Sequence, residues 1–255
     1  QEFMPTAKGE IGSIMLVMDQ QQWDHDLGIQ LRRIFREPMP GLPQDEPFFH
    51  LNRVSPKKLN TTLKSSANMI FVVTLDSKTS ESNVLKGFLT SQSLRMIKFD
   101  TSLYMSIRKD EFAKGQMILY LFGNTEKDLS QKLTDNKERI QSLFEKRVRD
   151  RTVSKLFKSH EKSLEKVVKK VHSFQIKIPS GWQQAASEPG FYWMRYFNGS
   201  KEQNVFVYYE AYTNIEIFDQ VPEFRDRITK QFLRDSEKNN LFITRQMRND
   251  LNTVF

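Results

Sequence analysis

The chain contains no cysteine. Disulfides, thiolate nucleophiles and Cys-ligated zinc or iron–sulfur sites are therefore excluded. The absence suits an envelope protein that avoids oxidation, but many cytosolic proteins also lack cysteine, so it does not decide the compartment. No run of about 18 apolar residues occurs, so no segment reads as a membrane span. Glycine is scarce, 10 in 255 residues, and none sits in a phosphate loop. The first strand-like run leads straight into "QQQW", while Gly9 and Gly12 precede it, at the wrong end for a dinucleotide or P-loop turn. No secretory signal opens the chain. "QEFMP" reads as a cloning scar followed by an internal start, with residues 1–8 expected to lack order.

Histidine is also sparse. His25, His50, His160 and His172 stand alone, without HxH or HExxH spacing. "DHD" at Asp24–Asp26 offers three ligand types in a row, but neighbours on a helix point about 100° apart and cannot converge on one ion. The plain reading is a polar helix start, with Asp24 and Asp26 near the positive end of the dipole. His160 and His172 lie in a basic tract and are expected to be solvated. No metal and no cofactor is expected. A Ser-His-Asp triad leaves no local signature, because its members meet only in space.

Aromatic residues are plentiful: 20 Phe, 7 Tyr and 3 Trp, far more than a disordered chain carries. The net charge of +8 is uneven. Residues 105–175 hold 17 Lys/Arg against 10 Asp/Glu, while residues 176–255 hold 10 of each. The excess is concentrated in Lys146–Lys170, with Lys146, Arg147, Arg149, Arg151, Lys155 and Lys158 as a candidate basic patch. Such a tract suits nucleic acid, an anionic surface or an acidic partner, or it is simply a solvated helix face. No nucleic-acid fold signature accompanies it, so nucleic acid is disfavoured.

The periodicities predict α/β architecture, with α+β as the alternative: a mixed sheet with packed helices, then a smaller β-β-β-α unit. "IGSIMLVMD", "NMIFVVTLD" and "GQMILYLFG" are continuous apolar runs, read as buried strands. "FFHLNRVS" reads as a further strand. "WDHDLGIQLRRIFRE" has Trp23, Leu27, Leu31, Ile34 and Phe35 at helical spacing, and Pro38 stops it. "SPKKLNTTLK" reads as a short helix capped by Ser55, and "SESNVLKGFLTSQ" as a helix capped by Ser80 or Ser82. "LRMIKFD" and "LYMSIRKD" alternate and are expected to be strands, paired as a hairpin. Thr125 to about His172 is helical, with a break expected near Asp150–Val153 or Ser159–Lys162. "SFQIKIPSGW" is an alternating strand, "FYWMRYFNGSKEQNVFVYYEAYT" a hairpin turning at Asn198-Gly199, and "DQVPEFRDRITKQFL" an amphipathic helix. The expected divisions are 9–124, 125–172 and 173–235, with 236–255 a polar tail that reads as cut short.

Three site readings follow. Asp19 and Asp76 end strands, where open α/β sheets place their sites, and are the candidates for a hydrolase; strand-end carboxylates are also common helix caps. "PMPGLPQDEPFF" (residues 38–49) is a rigid loop longer than a plain connection needs, with Pro40, Gly41, Leu42, Pro43 and Gln44 as a candidate binding surface. The aromatic hairpin sends Tyr192, Met194 and Tyr196 to one face. Tyr192, Tyr196 and Tyr208 make a second candidate surface, unless the sheet is covered on both sides.

The stretches "IMLVMDQQQWDHDLGIQLRRIFREPMPGLPQDEPFFHL", "NMIFVVTLD", "FAKGQMILYLFGNTEKDLSQKL", "IPSGW", "FYWMRY" and "NVFVYYEAYT" resemble the DUF4837 family. That is a family of unknown function, found largely in Bacteroidota and described as lipoproteins. The most specific piece is D-x₃-W-x₃-LG followed by PGLPQxEP. The resemblance covers roughly residues 5 to 235. It implies a lipid anchor, a place at the periplasmic side or surface of the cell envelope, and a further C-terminal region; it supplies no catalytic residue. The expectation is therefore a non-enzymatic, lipid-anchored envelope module that binds a protein or glycan, with the membrane surface reached through the anchor. The alternatives are a hydrolase with strand-end carboxylates and a nucleic-acid or anionic-surface binder through 146–170.

Overall fold

A computed structural model describes residues 4–40, 42, 44–212 and 219–233. It divides into two units, one up to Arg151 and one from Thr152. The chain runs through β1 (Ser13–Val17), α1 (Gln20–Asp24), α2 (Asp26–Phe35), β2 (His50–Val54), a 3-10 turn (Pro56–Lys58), α3 (Thr61–Lys64), β3 (Asn68–Thr74), α4 (Ser80–Lys86), α5 (Ser91–Phe99), β4 (Met105–Lys109), β5 (Met117–Gly123), α6 (Glu126–Asp135), α7 (Lys137–Leu156), α8 (Lys162–Val171), β6 (Gln183–Glu188), β7 (Phe191–Phe197), β8 (Glu202–Tyr208) and α9 (Val221–Phe232). This is the mixed α/β class that the periodicities predict.

The first unit is a five-stranded sheet in the order β2-β1-β3-β5-β4, parallel except for β4. Every residue of β3 and β5 is buried, as continuous apolar runs between two helical layers require. Alternate residues serve opposite faces. Ile14, Leu16, Ile70, Val72, Leu119 and Leu121 face a core with α2, α6 and α7. Val17, Phe71, Val73, Ile118 and Tyr120 face a second core with Leu85 of α4 and Ile97 of α5. Phe35, Phe49 and Phe144 meet edge-to-face at centroid separations of 5.5 to 6.0 Å and tie α2, the start of β2 and α7 together.

Several expectations are corrected. "LRMIKFD" lies in helix α5, not a strand: the Thr90 hydroxyl caps it at Ser93 N, and Leu94 and Ile97 recur at helical spacing. Seven residues of mixed polarity cannot separate the two periods. β4 accordingly pairs with β5 instead of making a hairpin with that segment. Thr79, not Ser80 or Ser82, caps α4, and Ser55 makes no side-chain cap. The long helical tract breaks at Asn136, outside both predicted breaks, and again over residues 157–161, overlapping the second of them; Asp150–Val153 stays helical.

The second unit is an antiparallel sheet, β6-β7-β8, covered on both faces. "SFQIKIPSGW" is not one of its strands; its only bridge is Pro179 to His160. Its alternation is nonetheless that of a packed face, since Phe174, Ile176 and Ile178 pack with Tyr192 and Met194. The ladder bonds are replaced by others, including Ile178 N donating to Glu165 Oε1 at 2.8 Å. β6 instead forms from "QQAASE". On the other face α9 packs Phe232 flat on Phe191, at 4.2 Å and 6°.

Candidate functional site

Open α/β sheets bind ligands beyond the carboxyl ends of the strands where the strand order reverses, here beside β1. In this chain its own side chains fill that position. Asp19, 1 % exposed, accepts from the amides of Gln21 (2.8 Å) and Gln22 (3.4 Å) and from the Thr79 hydroxyl. Gln22 Nε2 donates to the Thr74 hydroxyl at 2.8 Å. Arg53 donates to the Met18 carbonyl at 2.9 and 3.0 Å and pairs with Glu81 at 2.9 Å; Glu81 also takes the Gln20 amide and the Ser55 hydroxyl. Asp76 is exposed and accepts the Glu126 amide at 3.2 Å, at the start of α6. Both candidate carboxylates thus act as helix-start acceptors, and each serves a different helix. Asp19→Ala is expected to lower the unfolding free energy by about 1–2 kcal/mol, read by urea denaturation; unchanged stability would show that the cap carries no weight.

Residues of the basic tract differ in what they meet. Arg147 and Arg151 turn back onto the sheet unit, donating to the carbonyls of Gly115 and Gly9. Lys146 pairs with Asp150 at 2.9 Å, an exposed contact worth little. Arg149, Lys155 and Lys158 are exposed. On α7, Arg149 and Lys155 lie about 120° apart around the axis, so they share no stripe.

The tyrosine surface is corrected as well. Tyr192 is 1 % exposed, under Val168 of α8 and the 174–178 segment. Tyr196 is half-buried and stacks on Trp182 at 5.9 Å. Tyr208 belongs to the opposite face, against Phe224 and Phe232, and donates to Glu210 at 2.7 Å. His172 is buried, not solvated: its Nε2 meets the Ser187 hydroxyl at 2.9 Å and its Nδ1 the Tyr209 hydroxyl at 3.2 Å. No carboxylate joins it among the described residues. Its bonds tie the end of α8 to the sheet.

The proline loop is placed differently. Its base is zipped: Met39 N donates to Glu46 O at 2.8 Å, Phe48 N to Glu37 O at 2.9 Å, and Pro38 bridges Pro47. Pro40, Leu42 and Gln44 are exposed; Gly41 and Pro43 lie outside the described residues. With the base of the loop fixed, Pro40, Leu42 and Gln44 are presented to solvent. Replacing Leu42 and Gln44 by Ala together is expected to change stability by less than about 0.5 kcal/mol, measured by thermal unfolding; a loss of several times that would make the tip part of the core.

Beside the loop lies an open groove of about 560 Å³, lined by Ile29, Arg32, Arg33, Arg36, Glu37, Pro38 and Lys137. Arg32 stacks over the Trp23 ring at 4.2 Å and donates to the Trp23 carbonyl at 3.0 Å. Arg36 donates to the Leu51 carbonyl at 2.6 Å. His50 N and Val54 O bond to the β1 side, so Leu51 faces the free edge of the sheet, and Arg36 shields that edge. Arg33 is exposed and has no hydrogen-bond or ion-pair partner among the described residues. The one carboxylate is already engaged: Glu37 takes Lys137 Nζ at 2.6 Å and Gln141 Nε2 at 2.8 Å. The bond from Lys137, then that from Gln141, holds its carboxyl below the usual carboxylate range. Among the described residues three guanidiniums are therefore left without a carboxylate, and two of them are held in place. The sequence reading missed this groove. Its signal was "RRIFR" directly ahead of the proline loop, with Lys137 joining from 100 positions further along.

No group of three or more His, Asp or Glu side chains is placed to hold a metal ion, and no helix is long and apolar enough to cross a membrane, among the described residues.

The fold defines a two-unit α/β protein, a mixed five-stranded sheet unit followed by a three-stranded antiparallel one. The chain belongs to the family described as domain of unknown function DUF8532, whose model matches residues 7–157, and it carries a match to domain of unknown function DUF4837 over residues 161–254. The resemblance to DUF4837 thus holds, with "IPSGW", "FYWMRY" and "NVFVYYEAYT" inside that match; the proline loop and the three buried strands fall under DUF8532. The two matches part in the break between α7 and α8. No curated protein and no solved structure matches the chain.

Proposed function

We propose that this chain is a binding module whose contact surface is the Arg32–Arg33–Arg36 groove together with the proline loop. The observation that carries the reading is the set of three guanidiniums, two of them fixed by Trp23 and Leu51 and none paired with a carboxylate among the described residues, beside a loop whose base is held by backbone hydrogen bonds. Fixed donors lose little freedom when a ligand arrives, so they favour binding over a mobile charge patch. The strand-end carboxylates support a binding role over a hydrolase, because they are spent as helix-start acceptors. A place at the cell envelope, on a lipid anchor, with a protein or glycan as partner, is the part of this proposal that rests on what the resemblance to DUF4837 implies.

Calorimetric titration with polyglutamate at low salt tests the reading. Arg33→Glu is expected to weaken binding at least about tenfold, and Lys155→Glu, on the basic tract, to leave it unchanged. Equal losses from both variants would mean that the whole basic surface, not the groove, attracts anions.

A further inference from the structure

We infer that the partner taken by this groove is an acidic, extended protein segment, its carboxylates held by Arg32, Arg33 and Arg36 and its apolar side chains set against Ile29 and Leu42. This rests on the binding reading above and narrows it to one class of partner.

Charge comes first. The groove lining carries four cations and one carboxylate, and that carboxylate is taken by Lys137 and Gln141. A guanidinium has five N–H donors in a planar fork that matches a carboxylate edge to edge. Arg32 spends only Nη1 on the Trp23 carbonyl, and Arg36 only Nη2 on the Leu51 carbonyl. Each keeps donors for a ligand while its head is held still.

Shape and apolar content then separate the anion classes. The groove is open along its length, unlike the enclosed cavity that buries most of a small ligand. Sugars and nucleobases lay flat faces on aromatic rings. The lining residues include no aromatic side chain, and the nearby ring, Trp23, is already covered by Arg32 at 4.2 Å. What the surface offers instead is exposed aliphatic side chain: Ile29 is 40 % exposed in the groove, and Leu42 is 38 % exposed on the loop that rises from Pro38. A chain that alternates carboxylates with aliphatic side chains uses both features. An acidic glycan or a phosphate uses only the charges.

The test is fluorescence anisotropy on the whole chain with three probes: a labelled dodecapeptide of alternating Glu and Leu, its Gln-for-Glu counterpart, and an oligoglucuronate of matched charge. The Glu peptide is expected to bind at least about tenfold more tightly than either of the others. Arg33→Glu should remove most of that advantage, with Arg33→Gln giving an intermediate loss; Ile29→Ser should weaken the Glu peptide and not the oligoglucuronate. Oligoglucuronate binding as tightly as the peptide, with the same dependence on Arg33, would overturn the assignment to a protein segment and leave the binding reading standing. Inorganic phosphate displacing the peptide at millimolar concentration would also overturn it, in favour of a simple oxyanion site. Binding of neither anionic probe would remove the binding reading itself.

Discussion

Gly28→Ala is expected to lower the stability of the sheet unit by at least about 3 kcal/mol. A Cβ built on Gly28 would stand 1.9 Å from the Trp23 carbonyl oxygen and 2.5 Å from its carbon. These are backbone atoms, so no rotamer change relieves the clash. Helices α1 and α2 are joined by His25 alone, in extended conformation, so the only relief is to push the two helices apart. In an open helix Ala would stabilise by about 1 kcal/mol relative to Gly; here overpacking against a fixed carbonyl reverses the sign. The same carbonyl receives Arg32, and the same residue's ring supports it. The substitution should therefore disturb the groove as well as the core. Urea denaturation with Gly12→Ala as control gives the comparison, because nothing lies within 4 Å of a Cβ at Gly12. Equal stability of the two variants would show that α1 and α2 separate freely.

Phe144→Ala is expected to cost about 3–5 kcal/mol. Its ring is fully buried and meets Phe35 at 5.5 Å and 89° and Phe49 at 6.0 Å and 64°. Removing it leaves a cavity between α2, α7 and the lead into β2. Such a cavity cannot close without shifting a helix or the strand lead, so the loss exceeds the transfer of one aromatic side chain out of water. Phe144→Leu should recover more than half of the difference. The consequence reaches the groove, because α7 also carries Lys137 and Gln141, which hold Glu37. Chemical denaturation of both variants checks this; a loss below about 1.5 kcal/mol for Phe144→Ala would mean that the aromatic triad is not what fixes α7.

Much of the fold could be read from the chain because burial on two faces leaves a strong mark. β1, β3 and β5 are unbroken apolar runs, and α2 repeats apolar residues at three and four. What stayed hidden was decided by distant partners. Residues 91–99 fit either period, and the Thr90 cap with the second core settled them as a helix. Residues 174–178 alternate like a strand and pack like one, yet Glu165 takes one of the amides a ladder would have used. The tyrosines of β7 were assigned to the right face, but nothing local showed that α8 covers it. Among the site candidates, the proline loop could be read from its own residues. The groove could not, because Arg32, Arg33 and Arg36 look like ordinary solvated positions until Trp23, Leu51 and Lys137 arrive from other parts of the chain. The basic tract is the converse case: its charges are close in sequence but spread around α7 or turned onto glycine carbonyls.

On the proposal above, the α2 groove and the proline loop, not the basic tract or the aromatic sheet, form the binding surface. The most direct measurement is a nuclear magnetic resonance titration of the isotopically labelled chain with the acidic dodecapeptide, following backbone amides and arginine Nε–H signals together. Saturable shifts are expected at the Arg32, Arg33 and Arg36 side chains and at amides of residues 29–48, with the signals of Arg149, Lys155 and Lys158 unmoved. Shifts confined to residues 146–158 or to the β7–β8 hairpin, with the Arg33 side chain silent, would contradict it.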